Sequence, residues 1–390
     1  MYIAYTEEQE QLRAELRAYY AKMLTPEVRE ALHEGQGVGP TNRELVKQMG
    51  DDGWLGLGWP EEYGGRGMSQ VEQYLFFDES MRMGAPIPML TINTVGPSIY
   101  QFGSKEMKDF FLPKILAGDI HFCIGYSEPE AGTDLASLTT RAERDGEEYV
   151  VTGQKMWTSL ASDADYCWLA VRTNAEAKKH KGISILVMDM AAEGLTIDPL
   201  HLLSSHDINA MFLDEVRIPA ERLVGEENQG WTYITNQLNH ERVTLCSSGL
   251  LEQSFDEVKE FATETKLPDG RRVIDQEWVQ MSLARVFSGI ELIRLLNWKV
   301  ASSPDGLDVA DASSIKVYGT EFYLEAFRLL MEILGPQAYL CRNSAADLLH
   351  GRLEMNYRSL LILTFGGGTN EIQRDLIAMF GMGMPRALRS

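Results

Sequence analysis

Three consecutive glycines followed by polar side chains mark one segment that could bind a ligand. The run Thr364-Phe-Gly-Gly-Gly-Thr-Asn-Glu-Ile-Gln-Arg374 follows an apolar stretch. Glycines accept positive φ angles and let a backbone come close to a ligand. Thr369 adds a hydroxyl, and Gln373 adds an amide donor. The alternative is that this glycine run is a connecting loop between two helices and binds no ligand.

Two further segments combine hydroxyls, glycine and an aromatic ring. Residues 124–134, Ile-Gly-Tyr-Ser-Glu-Pro-Glu-Ala-Gly-Thr-Asp, carry the hydroxyls of Ser127 and Thr133. Such a loop can donate N–H and O–H groups to the edge of a planar ring and to a pyrophosphate. Residues 153–159 place Trp157 before two hydroxyls, which suits one face and one edge of such a ring. The alternative is an ordinary turn and a strand with a core tryptophan.

Glu241 is the candidate for a general base. It continues an apolar stripe, Ile234, Leu238 and Leu245, at steps of three and four residues, and so falls on the buried face of a predicted helix. Burial of an acid is costly unless the acid is paired or functional, and burial raises its pKa toward working pH. The alternative is a buried ion pair with an arginine, Arg242 or Arg285.

Composition excludes several classes of function. The chain has 390 residues, a formal net charge of −21 and a pI of about 4.8. Such an acidic surface disfavours nucleic acids and anionic membranes as partners. No spanning helix and no signal peptide is expected, which favours a cytoplasmic protein. Four scattered cysteines and seven histidines without ligand spacing predict no metal, and no GxGxxG segment supports a nicotinamide site.

The elements that must position these segments change type twice along the chain. Up to about residue 120 the pattern predicts helices, at 7–22, from 44 to 49, and at 70–83, 94–102 and 105–116. Four β-rich runs then predict a sheet, a barrel or a sandwich, at 148–152, 166–172, 182–188 and 211–218. From 227 onward, long helical patterns predict a four-helix bundle, at 231–265, 275–302, 308–334 and 345–364.

The glycine segment resembles the C-terminal signature of the acyl-CoA dehydrogenases, and residues 124–134 and 153–159 resemble two other motifs of that family in the same order. The resemblance covers the whole chain. It implies an α+β fold with an N-terminal helical domain at 1–120, a middle β-barrel-like domain at 121–226 and a C-terminal four-helix bundle at 227–390. It also implies FAD as cofactor, contacted by Ile124, Tyr126, Ser127, Gly132, Thr133, Trp157, Thr158, Ser159, Thr369 and Glu371.

The family signature has an acidic residue where this chain has Gly367. A subset of the family, including isovaleryl-CoA and long-chain types, carries its base in a Glu-Arg pair on an earlier helix, and Asn239-His-Glu-Arg242 matches that position. The resemblance therefore implies that Glu241 takes the α-proton while a hydride leaves the β-carbon for FAD. The implied substrate-binding residues are Thr133, Asn239, Arg242, Gly367 and Gly368. Our hypothesis is that the backbone N–H of Gly367 or Gly368 donates to the thioester oxygen together with a ribityl hydroxyl of FAD.

Two family motifs that reach a neighbouring subunit are altered here. Residues 266–274 have neither the family's Arg at its expected place nor its Phe, and residues 332–338 read Glu-Ile-Leu-Gly-Pro-Gln-Ala where the family has Gln-x-x-Gly-Gly-x-Gly. The simplest explanation is an unlike neighbour, as in the heteromeric acyl-CoA dehydrogenases of actinobacterial steroid side-chain degradation, whose base-bearing α-type subunits this chain resembles. The implied activity is dehydrogenation of a steroid acyl-CoA in sterol or cholesterol catabolism, in an α2β2 assembly reoxidised by an electron-transfer flavoprotein.

Three alternatives stay open. The chain could be a homomeric dehydrogenase of branched or aromatic acyl-CoA, a non-catalytic partner subunit, or an acyl-CoA oxidase.

Overall fold

The computed structural model describes residues 4–34, 37–203, 207–244, 246–303, 308–342, 344 and 349–386. For residues 34, 239–244 and 350 it describes the backbone alone.

The first part of the chain is helical, as its pattern predicts. Its helices are α1 (Glu7–Met23), α2 (Pro26–Glu34), α3 (Pro40–Asp51), α4 (Gln70–Met83), α5 (Gly96–Phe102) and α6 (Lys105–Leu116). Capping boxes, in which a hydroxyl and an acidic or amide side chain bond each other's backbone N–H, start α1 at Thr6 and α4 at Ser69. The sequence pattern missed α2, and the first two residues of the predicted helix 94–102 belong to a π-helical turn, Leu90–Val95, that precedes α5.

A curled seven-stranded sheet forms the middle of the chain. Its strands are β1 (Phe122–Gly125), β2 (Arg141–Asp145), β3 (Glu148–Ser159), β4 (Tyr166–Arg172), β5 (Ile183–Asp189), β6 (Leu195–Pro199) and β7 (Ile208–Pro219). The strand order is β1-β4-β2-β3-β7-β6, and β5 also pairs with β4. The sequence pattern located β3, β4, β5 and β7 but missed the short strands β1, β2 and β6.

Strands β4 and β5 are buried on both faces, which explains their continuous apolar runs. Trp168 and Ala170 face the core shared with the N-terminal helices, whereas Cys167 and Leu169 face the core inside the curled sheet.

Helices return in the last part of the chain. They are α7 (Gly230–Thr244), α8 (Gly249–Glu264), α9 (Glu277–Ala301), α10 (Val309–Leu334), α11 (Arg352–Leu360) and α12 (Asn370–Leu376). Residues of α8, α9, α10 and α11 share one core, which is the predicted four-helix bundle.

Two predicted helices in this part have wrong boundaries. The predicted helix 231–265 is two helices, because Ser248 and Gly249 begin α8 as a separate element whose first turn is held by buried hydrogen bonds. The predicted helix 345–364 is represented by α11 with a 3-10 turn on each side, Leu349–Gly351 and Leu361–Thr364. No helix within the described ranges is long and apolar enough to cross a membrane.

Candidate active site

The loop after β1 is joined to β3 by a buried ion pair. Lys155 of β3 is fully buried, and its Nζ donates to the carbonyl of Tyr126 at 3.1 Å and to Glu128 Oε1 at 2.9 Å. The Glu128 carboxylate also accepts from both backbone N–H groups of Thr139 and Thr140, at 2.7 and 2.8 Å. Burial opposes ionisation of Glu128, but the Lys155 ammonium and these hydrogen bonds lower its pKa to about 2. The pair fixes the path of residues 126–128 against the sheet.

Tyr126 turns its ring into the protein. Its hydroxyl donates to Gln237 Oε1 of α7 and accepts from the indole N–H of Trp168, both at 3.0 Å. The phenol therefore ties the loop to α7 and β4, and the part of Tyr126 that can meet a ligand is its backbone.

The hydroxyls of Ser127 and Thr133 differ from that of Tyr126. In the described part of the chain neither makes a hydrogen bond, so both can serve a ligand. A Cβ added at Gly132 would meet nothing within 4 Å, so the end of the loop is open. Ile124 lies in β1, half-buried, beside this loop.

Trp157 stands out from the sheet on a β-bulge. The register of β3 against β7 shifts between Lys155 and Thr158, and Trp157 takes φ of 64°, which is rare for a residue other than glycine. The residue is 54% exposed. The bulge turns the next residue inward, so the Thr158 hydroxyl is buried and has no hydrogen-bond partner among the described residues. Ser159 follows at the end of β3.

The glycine segment forms a left-handed turn whose carbonyls are held by the protein. Gly367 and Gly368 have φ of 68° and 95°. The buried Lys316 of α10 donates to the carbonyl of Gly368 at 2.8 Å and to Asn370 Oδ1 at 2.7 Å, and Gln373 Nε2 donates to the carbonyl of Gly367 at 3.2 Å. No acceptor for the backbone N–H of Gly367 or Gly368 occurs in the described ranges. These two donors could polarise a carbonyl oxygen.

Thr369 and Glu371 begin the helix that follows this turn. The Thr369 hydroxyl caps α12 by accepting from the backbone N–H of Ile372 at 3.3 Å. Glu371 is exposed on the first turn of α12.

Helix α7 carries the predicted base, Glu241, four residues after the buried Gln237. The side chains of Glu241, Asn239 and Arg242 lie outside the described residues. Buried Tyr233 and Ile234 turn the same helix toward the core shared with the N-terminal helices.

The junction between α7 and α8 is fixed by buried polar groups from other helices. The Asp78 carboxylate of α4 accepts from the Ser247 hydroxyl at 2.7 Å and from the backbone N–H of Gly249 at 3.1 Å. Asn297 Nδ2 of α9 donates to the carbonyl of Cys246 at 2.8 Å. Burial, with a contribution from Glu252, raises the pKa of Asp78. The end of α7 is thus held from two sides.

The structure joins these segments in a chain of contacts. Met156 N–H donates to the carbonyl of Ser127 at 2.8 Å, which brings the 124–134 loop beside residues 157–159. Tyr126 joins that loop to α7, and α7 packs against α10, which holds the glycine turn through Lys316. Among the described residues, no hydrogen bond or ion pair joins the glycine turn directly to the 124–134 loop.

The sequence matches family models along most of its length. They are the N-terminal domain of acyl-CoA dehydrogenase at residues 6–119, its middle domain at 123–216 and its C-terminal domain at 228–382. The chain belongs to the acyl-CoA dehydrogenase family. The family consists of oxidoreductases, and acyl-CoA dehydrogenases use FAD.

Individual members of the family resemble the chain over its full length. It is 56% identical to the acyl-CoA dehydrogenase FadE26 of Mycobacterium tuberculosis over 100% of both chains. A chain of the ChsE4-ChsE5 complex from Mycobacterium tuberculosis superposes with a TM-score of 0.94 at 56% identity, over 99% of this chain and 100% of that one. A chain of the Tcur3481-Tcur3483 steroid acyl-CoA dehydrogenase superposes with a TM-score of 0.93 at 46% identity, over 99% and 100%.

The groups offered by residues 157–158 and by the 124–134 loop fit a flavin. An exposed aromatic ring, a buried hydroxyl without a partner at Thr158, unbonded hydroxyls at Ser127 and Thr133 and the open backbone at Gly132 together offer a flat face, hydrogen-bond groups and room. No group of three or more His, Cys, Asp or Glu side chains that could hold a metal occurs in the described ranges.

Three contributing residues were not singled out from the sequence: Lys155, Lys316 and Asp78. Of these three, only the burial of Lys155 could have been predicted. Tyr149 and Val151 alternate on the inward face of β3, and residue 155 falls on the same face.

Proposed function

We propose that this chain is the base-bearing subunit of a heteromeric FAD-dependent dehydrogenase of a steroid side-chain acyl-CoA. The observation that carries the proposal is the glycine turn. It offers two unbonded N–H groups at Gly367 and Gly368 and no acid at the family's usual position, on a chain 46% identical to a chain of a steroid acyl-CoA dehydrogenase.

The chemistry divides between the glycine turn and α7. The N–H groups of Gly367 and Gly368 donate to the thioester oxygen and so acidify the α-carbon. Glu241 takes the α-proton as general base, and its neighbour Arg242 stabilises the local site with Asn239. FAD, when bound, accepts the hydride that leaves the β-carbon. Proton and hydride together account for the two hydrogens lost from the acyl chain.

The flavin is assigned to the middle of the chain. Ser127, Thr133, Thr158 and Ser159 would supply hydroxyls, Trp157 a ring face, and Ile124, Tyr126 and Gly132 backbone. Thr369 and Glu371 are assigned to the cofactor from the start of α12, and Thr133 also to the substrate entrance.

A glycine at 367 also removes side-chain volume from the site, which suits a bulky fused-ring acyl group. The proposed assembly is α2β2 with an unlike acyl-CoA dehydrogenase chain, because two similar solved structures, ChsE4-ChsE5 and Tcur3481-Tcur3483, each pair two proteins. Residues 266–274 and 332–338 also depart from the family's neighbour-reaching motifs. An electron-transfer flavoprotein is the proposed electron acceptor.

The test of catalysis is substitution of the base. Glu241→Gln keeps the size of the side chain and removes its basicity, so turnover of a steroid acyl-CoA with ferrocenium as acceptor should fall at least ~10²-fold. FAD content, read from the flavin absorbance, should stay unchanged. Near wild-type turnover in this variant would overturn the assignment of Glu241.

The test of assembly compares the chain expressed alone with the chain co-expressed with the product of its neighbouring gene. FAD per chain and turnover should both rise in the pair. Full FAD occupancy and full activity in the lone chain would overturn the heteromer and favour a homomeric dehydrogenase. If the co-expressed pair binds FAD fully and stays fully active when this chain carries Glu241→Gln, the result would favour a non-catalytic role for this chain.

A further inference from the structure

The glycine turn cannot hold its own shape. Gly367 and Gly368 have φ of 68° and 95°, and a glycine backbone moves readily between such conformations and others. Donors that stabilise charge on a reacting oxygen work only if they are already in place when the charge develops. Groups outside the turn must therefore fix the direction of its peptide planes.

Gln373 fixes the peptide plane between the two glycines. Its side chain is fully buried, and its Nε2 donates to the carbonyl of Gly367 at 3.2 Å. The peptide bond is trans, so a carbonyl held on one side directs the N–H of Gly368 to the opposite side. The amide of Gln373 thus sets the direction of one of the two donors.

The other end of the Gln373 amide indicates that this side chain does more than fill space. Its Oε1 is buried and has no hydrogen-bond partner in the described part of the chain. A buried acceptor without a partner costs stability, and an apolar side chain of the same length would avoid that cost. The amide is nevertheless present, and within the described ranges its one hydrogen bond goes to the glycine turn.

Lys316 fixes the next peptide plane. It is a fully buried residue of α10, and its Nζ donates to the carbonyl of Gly368 at 2.8 Å and to Asn370 Oδ1 at 2.7 Å. The two peptide planes that flank the Cα of Gly368 are therefore both held by side chains, one from α12 and one from α10. Because φ and ψ are the only soft angles between two planes, Gly368 keeps little freedom.

Asn370 joins the turn to α10 a second time. Its Nδ2 donates to the Thr320 hydroxyl and to Glu321 Oε1, both at 3.1 Å. The Thr320 hydroxyl in turn donates to the carbonyl of Lys316 at 2.8 Å. The position of the turn is thus set by a long helix, Val309–Leu334, and not by the backbone of the turn itself.

One face of α10 makes these contacts and also reaches the helix that carries the proposed base. Its members lie at positions i, i+3, i+4 and i+7, which share one side of a helix. We call them the α10 face: Lys316, Gly319, Thr320 and Tyr323. The Tyr323 hydroxyl donates to the carbonyl of Ser247, in the junction between α7 and α8. Gly319 packs closely on Cys246 of the same junction, since an added Cβ would lie 2.6 Å from the Cys246 Cβ.

We infer that Gln373 and Lys316 are positioning residues of the proposed dehydrogenation. They hold the glycine turn so that its N–H groups meet the thioester oxygen, and the α10 face fixes that turn relative to the end of α7. The inference rests on the proposed function for the role of the turn and adds the side chains that direct its donors. Removal of either side chain should weaken polarisation of the thioester without removing a group that reacts.

The test reads the thioester carbonyl directly, because a hydrogen bond to a carbonyl oxygen lowers its stretching frequency. The probe is the 2-enoyl-CoA product of the steroid acyl-CoA, labelled with ¹³C at the thioester carbon and bound to the FAD-loaded, co-expressed complex. Infrared difference spectra between labelled and unlabelled product isolate this one band. In the parent the band should lie below its position for the free product in solution.

Gln373→Met keeps the length of the side chain and removes its donor. The carbonyl band should move back toward its position in solution. Both kcat and kcat/KM should fall by the same factor, about 10-fold or more, because the direction of the donor is lost while substrate binding is kept. FAD content should stay unchanged. Gln11→Met, at an exposed glutamine of α1, is the matched control and should leave the band and both constants at their parent values.

Two further variants test the contacts with α10. Lys316→Met should move the carbonyl band in the same direction as Gln373→Met. Thr320→Val keeps the shape of the side chain, removes an acceptor of Asn370 and should move the band in that direction by a smaller amount, so it decides the question if the other variants do not fold.

Two outcomes would overturn the inference, and they are distinguishable. If the parent shows the lowered band and every variant that folds and binds FAD keeps it, the positioning role is refuted while the proposed function stands. If the parent itself shows no lowered band, the proposed role of the glycine turn is refuted and the inference falls with it.

Discussion

Removal of the Lys155 ammonium should loosen residues 126–128, which the buried pair fixes against the sheet. Lys155→Met keeps most of the aliphatic volume but leaves Glu128 buried without its cation. Loss of one partner of a buried pair typically costs about 3–5 kcal/mol of unfolding free energy. Glu128 keeps its hydrogen bonds from Thr139 and Thr140, at 2.7 and 2.8 Å, so we expect the lower end, about 3 kcal/mol.

The assay follows both the protein and the cofactor. Urea unfolding followed by circular dichroism gives the free energy of unfolding. The rise of flavin fluorescence on heating gives the temperature at which FAD is released. Lys155→Met should lower both. Lys179→Met is the matched control, because Lys179 pairs with Asp134 of the same loop with both side chains 59% exposed. Exposed pairs contribute about 0–1 kcal/mol.

A double variant separates the pair from the individual side chains. Lys155→Met/Glu128→Gln removes both charges. The double variant should therefore lose at least about 1 kcal/mol less free energy of unfolding than the two single variants lose together. If Lys155→Met lowers the free energy of unfolding no more than Lys179→Met does, the buried pair does not hold residues 126–128, and the reasoning from its burial is refuted.

Two further predictions concern the glycine turn and the dependence of stability on pH. Gly368→Ala should cost more stability than Gly270→Ala, because both have φ near 90° but only a Cβ at 368 would crowd Gln373 Nε2, at 2.7 Å; equal shifts in Tm would contradict this. Since the pKa of Glu128 is lowered to about 2, its contribution to stability is full above its ordinary pKa of about 4.3 and is lost as pH falls toward 2. Urea midpoints between pH 6 and 3 should therefore fall less steeply in Glu128→Gln than in the parent, and parallel curves would contradict the assignment.

Much of the fold is readable from the sequence because long amphipathic helices and apolar strands leave strong periodic signals. The helices α1, α4, α6, α9 and α10 and the strands β3, β4, β5 and β7 were located in this way. The short strands β1, β2 and β6 were missed, since four or five residues carry too little periodicity and their burial is set by neighbours distant in sequence.

The break between α7 and α8 shows a limit of periodicity. The sequence pattern nevertheless predicts one helix, 231–265, across the junction. What separates them is tertiary: Asp78 of α4 and Asn297 of α9 bond the backbone and hydroxyls of residues 246–249. Nothing local in the sequence reports those partners.

The sequence also predicts only part of the candidate site, because some of its contacts are tertiary. Motif resemblance singled out the 124–134 loop, residues 157–159 at the end of β3, and residues 366–371, which comprise part of the glycine turn and the start of α12; their roles stay a prediction. The buried cations behind these loops, Lys155 and Lys316, were not identified, because their role depends on which carbonyls the fold brings within reach.

The backbone of Trp157 has a consequence for any attempt to stabilise this chain. A large aromatic residue in the left-handed region costs on the order of 1–2 kcal/mol relative to glycine, and its exposed ring recovers little through packing. A screen for thermal stability in the absence of cofactor would therefore favour glycine at 157. It would improve the folded chain while removing the ring that faces outward from the bulge, so stability and the proposed role of this ring in holding FAD make opposite demands on this one position.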